Sequence, residues 1–242
     1  MASKEVYLPE IGKIALTKRR SSKNIKLSYS SDGIIKVSLP IFVPYQAGIN
    51  FVIKNQAWLE DHRPGEQVVL EQGDRIGKAH RLNFAYSDKA SRPSVRVTNT
   101  QINVSVPLGH NFSGSDVQTV AIRGAHKALS KEASQLLPQR LDQLAKANRF
   151  EYQSVKAKRL TTRWGSCSNT KEIILNIYLM QLPWDLIDYV IIHELVHTEH
   201  MNHSISFWQR FEQILFNAKA LRKQLKQYQT LQTPQTTYFL IK

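Results

Sequence analysis

Short β-branched runs set among polar residues dominate the first hundred positions. Lys13–Thr17, Ile25–Tyr29 and Ile34–Leu39 read as strands. Asp32 and Gly33, between the last two, tolerate positive φ and predict a hairpin turn. Ile49, Phe51, Val52, Ala57 and Trp58 recur at helical spacing and predict one helix over Gln46–Asp61. Gln67–Leu70, Arg81–Tyr86, Ser94–Thr98 and the alternating Gln101–Val106 read as further strands.

The Gly- and Pro-bearing stretch Pro107–Ser115 is the most loop-like and predicts a boundary between a β-rich region, 1–112, and a second domain, 113–242. Asp116 is placed to cap a long helix from Val117 to about Asn148, with Pro138 expected to kink or divide it. Ser154–Leu160 and Glu172–Asn176 read as strands flanking a loop over Thr162–Asn169. Pro183, Trp184 and Asp185 open a helix to about Met201, and a last helix covers Ser206–Gln227. The fold class expected is α+β, a β-rich N-terminal region followed by a helical domain carrying a small antiparallel sheet.

Composition narrows the class. The 242 residues are 42% hydrophobic with 19 Gly and Pro together, a globular makeup rather than a disordered one. The net charge of +14 suits acidic partners such as nucleic acid or nucleotides without naming one. One cysteine, Cys167, excludes an internal disulfide and predicts a reducing, cytoplasmic setting. The opening residues carry no apolar run of a secretory signal, and no stretch approaches a membrane span.

Chemistry concentrates in one segment. His193 and His197 are a helical turn apart and share a face, while Glu194 points away around the helix. This His-Glu-x-x-His spacing supplies two zinc ligands and a general base. His200 lies too far along the axis to share a tetrahedral ion with His193. His203 follows Asn202, a favoured helix stop, and a chain reversing there returns His203 to the metal. The expected ligands of Zn2+ are therefore His193, His197 and His203.

The chain resembles the YgjP-like predicted metal-dependent hydrolases, relatives of the SprT-like and WLM metallopeptidases. The resemblance rests on Arg163–Cys167, Leu175 and Asn176, Pro183, Ile187–Val190, His193–His197, Asn202–Ser204 and Phe207 with Trp208. It implies a minimal zincin-type domain with His193, His197 and His203 as zinc ligands and Glu194 as catalytic acid/base. A metallopeptidase acting on peptide or protein is the function so implied. The alternatives are a metal-dependent nucleotide pyrophosphatase or phosphohydrolase, and a basic nucleic-acid-binding protein with a structural metal. In the loop before the metal helix, Trp164 and Gly165 are expected to form a turn and Cys167 to be a small buried residue. Arg163 is placed to stabilise an oxyanion or bind an anionic group. Gly73–Ala79 lacks phosphate-loop spacing and is expected to be a turn between strands.

Overall fold

A computed structural model describes residues 3–29, 34–61, 69–161, 163–228 and 230–231. It is α+β, and its described residues fall into two compact units, within Met1–Gln67 and within Val68–Gln232.

In the first unit, β1 (Ser3–Leu8), β2 (Gly12–Arg19), β4 (Ile35–Pro40) and β3 (Lys26–Tyr29) form one sheet in the order β1-β2-β4-β3. Only β2 and β4 are parallel. Ile14, Leu16, Ile35, Val37 and Leu39 build its core with Val52 and Leu59 from two helices. Those helices, α1 (Tyr45–Lys54) and α2 (Gln56–Asp61), replace the single one expected. Asn55 divides them: its Nδ2 donates to the Phe51 carbonyl at 2.7 Å, an ending that suits a residue able to bond its own backbone. β1 gave little hydrophobic signal because its side chains are largely exposed, Tyr7 at 72%. The Asp32–Gly33 turn lies outside the described residues, although β3 and β4 are antiparallel with Leu27 opposite Val37.

The second unit begins before the boundary expected at 112. Its first sheet, β5 (Arg81–Ser87), β7 (Gln101–Pro107) and β6 (Ser94–Val97), shares one core with the long helix α3 (Ser115–Asn148). The approach is close: a Cβ on Gly124 would stand 2.6 Å from Val95 Cγ2 and 2.8 Å from Ile102 Cγ2. A strand face and a helix face that bury each other belong to one unit, so the loop 107–115 is an internal connection. Leu70 forms no strand. Gln118 of α3 clips it instead, accepting from Leu70 N at 2.8 Å and donating to its carbonyl at 2.9 Å.

α3 starts at the cap residue Gly114, with Asp116 in its first turn, and runs unbroken through Pro138. Ala133, Leu137 and Leu141 are fully buried around the proline, and this packing holds the helix despite the missing N–H.

The second sheet, β8 (Ser154–Lys158), β10 (Glu172–Asn176) and β9 (Gly165–Cys167), is mixed rather than purely antiparallel. β10 lies in the middle, parallel to β8 and antiparallel to β9, a strand expected to be loop. A 3-10 turn (Ile177–Gln181) leads to α4 (Trp184–Val196), α5 (Ile205–Ile214) and α6 (Ala218–Gln227). The last two were expected as one helix; the chain breaks between them at Leu215–Asn217, where Phe216 is 97% exposed. Among the described residues no helix is long and apolar enough to cross a membrane.

Candidate metal centre

α4 is buried on nearly every side, with Leu186, Ile187, Val190, Ile191 and Leu195 all in the core. Arg140 of α3 fixes it from outside, pairing with both carboxylate oxygens of Asp188 at 2.7 and 2.5 Å. A helix so held gives its side chains little freedom. His193 lies in its last turn and His197 is its C-cap. The chain then turns, and Ser204 caps α5 by accepting from Phe207 N. His203, immediately before that cap, returns to the end of α4.

The result is a cluster of three imidazoles, with one ligand atom from each of His193, His197 and His203 all within 4.8 Å of one another. The Nε2 atoms of His193 and His203 stand 3.0 Å apart. Two nitrogens on one tetrahedral ion with bonds of 2.0–2.1 Å would stand about 3.3 Å apart. His200 is outside the cluster and supports it otherwise: its carbonyl accepts from His197 Nδ1 at 3.0 Å. A carbonyl can only accept, so that hydrogen is on Nδ1 and the His197 Nε2 lone pair is free. Cys167 does not belong to the group.

Phe207 packs against all three rings, with centroids 4.7–5.0 Å away, and Trp208 and Phe211 complete an aromatic wall. Burial pushes the His193 pKa down to about 2, helped by His197, His203 and Arg222. It lowers His197 and His203 as well. Burial thus favours the neutral form of all three rings, the form that coordinates metal. His193 Nδ1 is buried with no hydrogen-bond partner. Neutral imidazoles turned toward one another in an apolar wall are poorly satisfied by themselves, and a divalent ion among them fits this donor set.

Glu194 is 4% exposed and faces β9. A Cβ on Gly165 would stand 2.7 Å from Glu194 Cγ and 2.8 Å from Oε1, so only glycine leaves the carboxyl its place. Glu194 makes no hydrogen bond among the described residues. Burial raises its pKa to about 8, against an opposing pull from exposed Arg163. Asn176, fully buried, holds the segment that carries Arg163 and Gly165. Its Nδ2 donates to the Leu160 and Arg163 carbonyls at 3.0 and 2.8 Å, and its N–H donates to the Trp164 carbonyl at 2.8 Å. Where a turn over Trp164 and Gly165 was expected, Trp164 is a buried core residue and Gly165 sits in a strand. Cys167 is half-buried, its thiol pushed up to about 11 by burial and then by Glu194.

Residues 23–228 match the family described as YgjP-like, metallopeptidase domain. The chain belongs to this family. Metal-dependent proteolysis is the activity class that membership supports. No curated protein matches the YgjP-like chain. Two solved structures are similar to part of it. The metallopeptidase zymogen abylysin of Pyrococcus abyssi is 24% identical over 37% of this chain and 91% of its own, with a TM-score of 0.34. The zymogen jannalysin of Methanocaldococcus jannaschii is 21% identical over 38% and 94%, with a TM-score of 0.35.

The glycine-bearing turn of this YgjP-like chain is a nest of N–H groups, as in phosphate loops, but its own carboxylate fills it. Lys78, Ala79 and His80 donate their backbone N–H groups to buried Glu132 of α3 at 2.6, 3.0 and 3.1 Å. His80 Nδ1 adds a contact at 2.5 Å. The Gly77 Cα has no room for a side chain against the same carboxylate. Lys78 Nζ donates to the Leu182 carbonyl, just before α4. The turn thus ties α3 to the entry of the helix that carries His193. Sequence spacing gave the turn and not its partner, which lies 52 to 54 residues away.

Proposed function

We propose that this chain is a zinc-dependent peptidase, with His193, His197 and His203 holding the ion and Glu194 acting as general base. The observation that carries this reading is the convergence of three imidazole nitrogens within 4.8 Å, next to a buried carboxyl on the same helix. Bound zinc supplies a Lewis acid that polarises a carbonyl oxygen and acidifies water.

The chain's own residues do the rest. The Glu194 carboxylate takes the proton of the attacking water and returns it to the nitrogen of the leaving amine. Gly165 leaves that carboxylate room, and Asn176 holds the strand bearing Gly165 at the right height. Arg163, exposed two residues before that strand, offers its guanidinium to charge developing on the carbonyl oxygen. Phe207 and Trp208 pack against the His203 ring and hold it in place.

An extended peptide needs an open strand edge, and Glu172–Asn176 offers none. That strand, β10, is paired on both sides, so the edge beside Glu194 is β9. We assign the substrate backbone to β9 as an added strand. Peptide or protein is then the substrate class. A nucleotide hydrolase draws on the charge of +14 alone, and the phosphate-loop-like turn is taken by Glu132. The lone Cys167 suits a reducing compartment.

The test is hydrolysis of a casein digest by the zinc-loaded protein, beside a nucleotide panel. Peptide cleavage that falls by about 100-fold or more in Glu194→Gln supports the reading. Cleavage indifferent to Glu194, or of nucleotides alone, overturns it.

A further inference from the structure

A cavity of about 230 Å³ opens between α4, α5 and α6, lined by Tyr189, Trp208, Glu212, Ala218, Lys219 and Arg222. It adjoins the imidazole cluster through two of its walls. The Tyr189 ring stacks on His193 at 6.4 Å, and the Trp208 ring lies 5.7 Å from that of His203. Arg222 stands over the Trp208 ring, its Cζ 5.6 Å from the centroid.

Three groups of this lining could meet a ligand: the Tyr189 hydroxyl, Arg222 and Lys219. Tyr189 is 1% exposed, yet its hydroxyl makes no hydrogen bond among the described residues. Arg222 and Lys219 are exposed and form no ion pair among the described residues, although Glu212 shares the lining. The cavity therefore presents a guanidinium fork and an ammonium group from α6 and, on a wall shared with the imidazoles, a phenol O–H, all able to donate. Its only carboxylate, Glu212, leaves the lining one positive charge in excess.

We propose that this cavity is a subsite for a carboxylate of the substrate, recognised by Arg222, Lys219 and the Tyr189 hydroxyl. The carboxylate is the C-terminus or an Asp or Glu side chain, close to the bond that is cleaved. Reach supports this: Arg222 and His203 flank the same indole, so they lie within about 11 Å, the span of roughly three extended residues. Planar, bidentate recognition of carboxylate is what a guanidinium does best. The proposal rests on the peptidase reading of the imidazole cluster.

Titration calorimetry on zinc-loaded Glu194→Gln protein, which binds without turnover, tests it with two matched pairs of probes. One pair is acetyl-Leu-Leu-Ala as free acid and as amide; the other is acetyl-Leu-Leu-Glu amide and acetyl-Leu-Leu-Gln amide. The charged member of at least one pair is expected to bind about tenfold more tightly, which a charge-assisted bond of about 1.4 kcal/mol provides. Arg222→Ala abolishes that preference, Arg222→Lys retains part of it, and Tyr189→Phe narrows it. The pair that responds says whether terminus or side chain is read. Failure of both charged members to bind better, or a preference that survives Arg222→Ala, overturns the subsite. Cleavage of neutral peptides by wild type without charge preference would sink the subsite and leave the peptidase standing. Charge-dependent binding with no cleavage by wild type would do the reverse.

Discussion

Gly165 of β9 lies directly against the Glu194 side chain, closer than any Cβ could be accommodated. A strand thereby fixes the carboxyl group of the residue that follows His193 on α4. Gly165→Ala must displace one or the other. Overpacking of this kind costs about 1–3 kcal/mol of stability. Because the displaced group is the proposed base, peptide hydrolysis is expected to fall by about 10-fold to 100-fold, within the span of general-base effects. Zinc content should not change, since no imidazole is touched. Parallel assays of turnover and metal check this; loss of metal with retained turnover would contradict it.

Asn176 is expected to matter for the same strand. Asn176→Ala removes two donors from the Leu160 and Arg163 carbonyls inside the fold. Leaving such groups unsatisfied costs about 1–3 kcal/mol each in buried settings. Urea unfolding should show a lower midpoint. Proteolysis near residues 160–164 should quicken if this asparagine is the clip.

Glu132 sets an acid limit on stability. Burial alone would raise its pKa, but hydrogen bonds from His80 and from the Ala79, Lys78 and His80 backbone outweigh that and hold it below its ordinary value of 4.5. A carboxyl lowered by folding stabilises fully above its unfolded value and loses that contribution as pH falls through the folded one. Thermal stability is thus expected to fall as pH drops below 4.5, with Glu132→Gln showing a smaller dependence over that window. An unchanged pH profile in the variant would contradict the nest.

Much of this was legible in the sequence, and the rest failed for physical reasons. His193, His197 and His203 were readable because helical spacing and an Asn stop are local rules, and the three rings do converge. The break at Asn55 and that at Leu215–Asn217 were missed because helical periodicity carries across a short interruption. β9 was missed because three residues, Gly165–Cys167, hold no periodicity; only pairing with β10 makes them a strand. The partners Glu132, Asn176 and Gly165 act on groups remote in the chain, so no pattern along it reveals them. The division of the chain at Gln67 rather than 112 has the same origin, since Val95 and Ile102 are assigned to a unit by what they touch on α3.

β9 offers a further check. An uncleaved, extended peptide inhibitor should slow hydrogen exchange at amides of Gly165–Cys167 if substrate adds there as a strand. Protection confined to β8, the opposite edge, would place the substrate elsewhere.

The central claim is the three-imidazole zinc site. Metal content measured by mass spectrometry on tag-free protein tests it most directly, in wild type, His203→Ala and His200→Ala. About one zinc per chain is predicted in wild type and in His200→Ala, with clear loss in His203→Ala, as a site needing three protein ligands requires. Wild-type protein that holds no zinc after reconstitution, or zinc retained by His203→Ala and lost by His200→Ala, would contradict it.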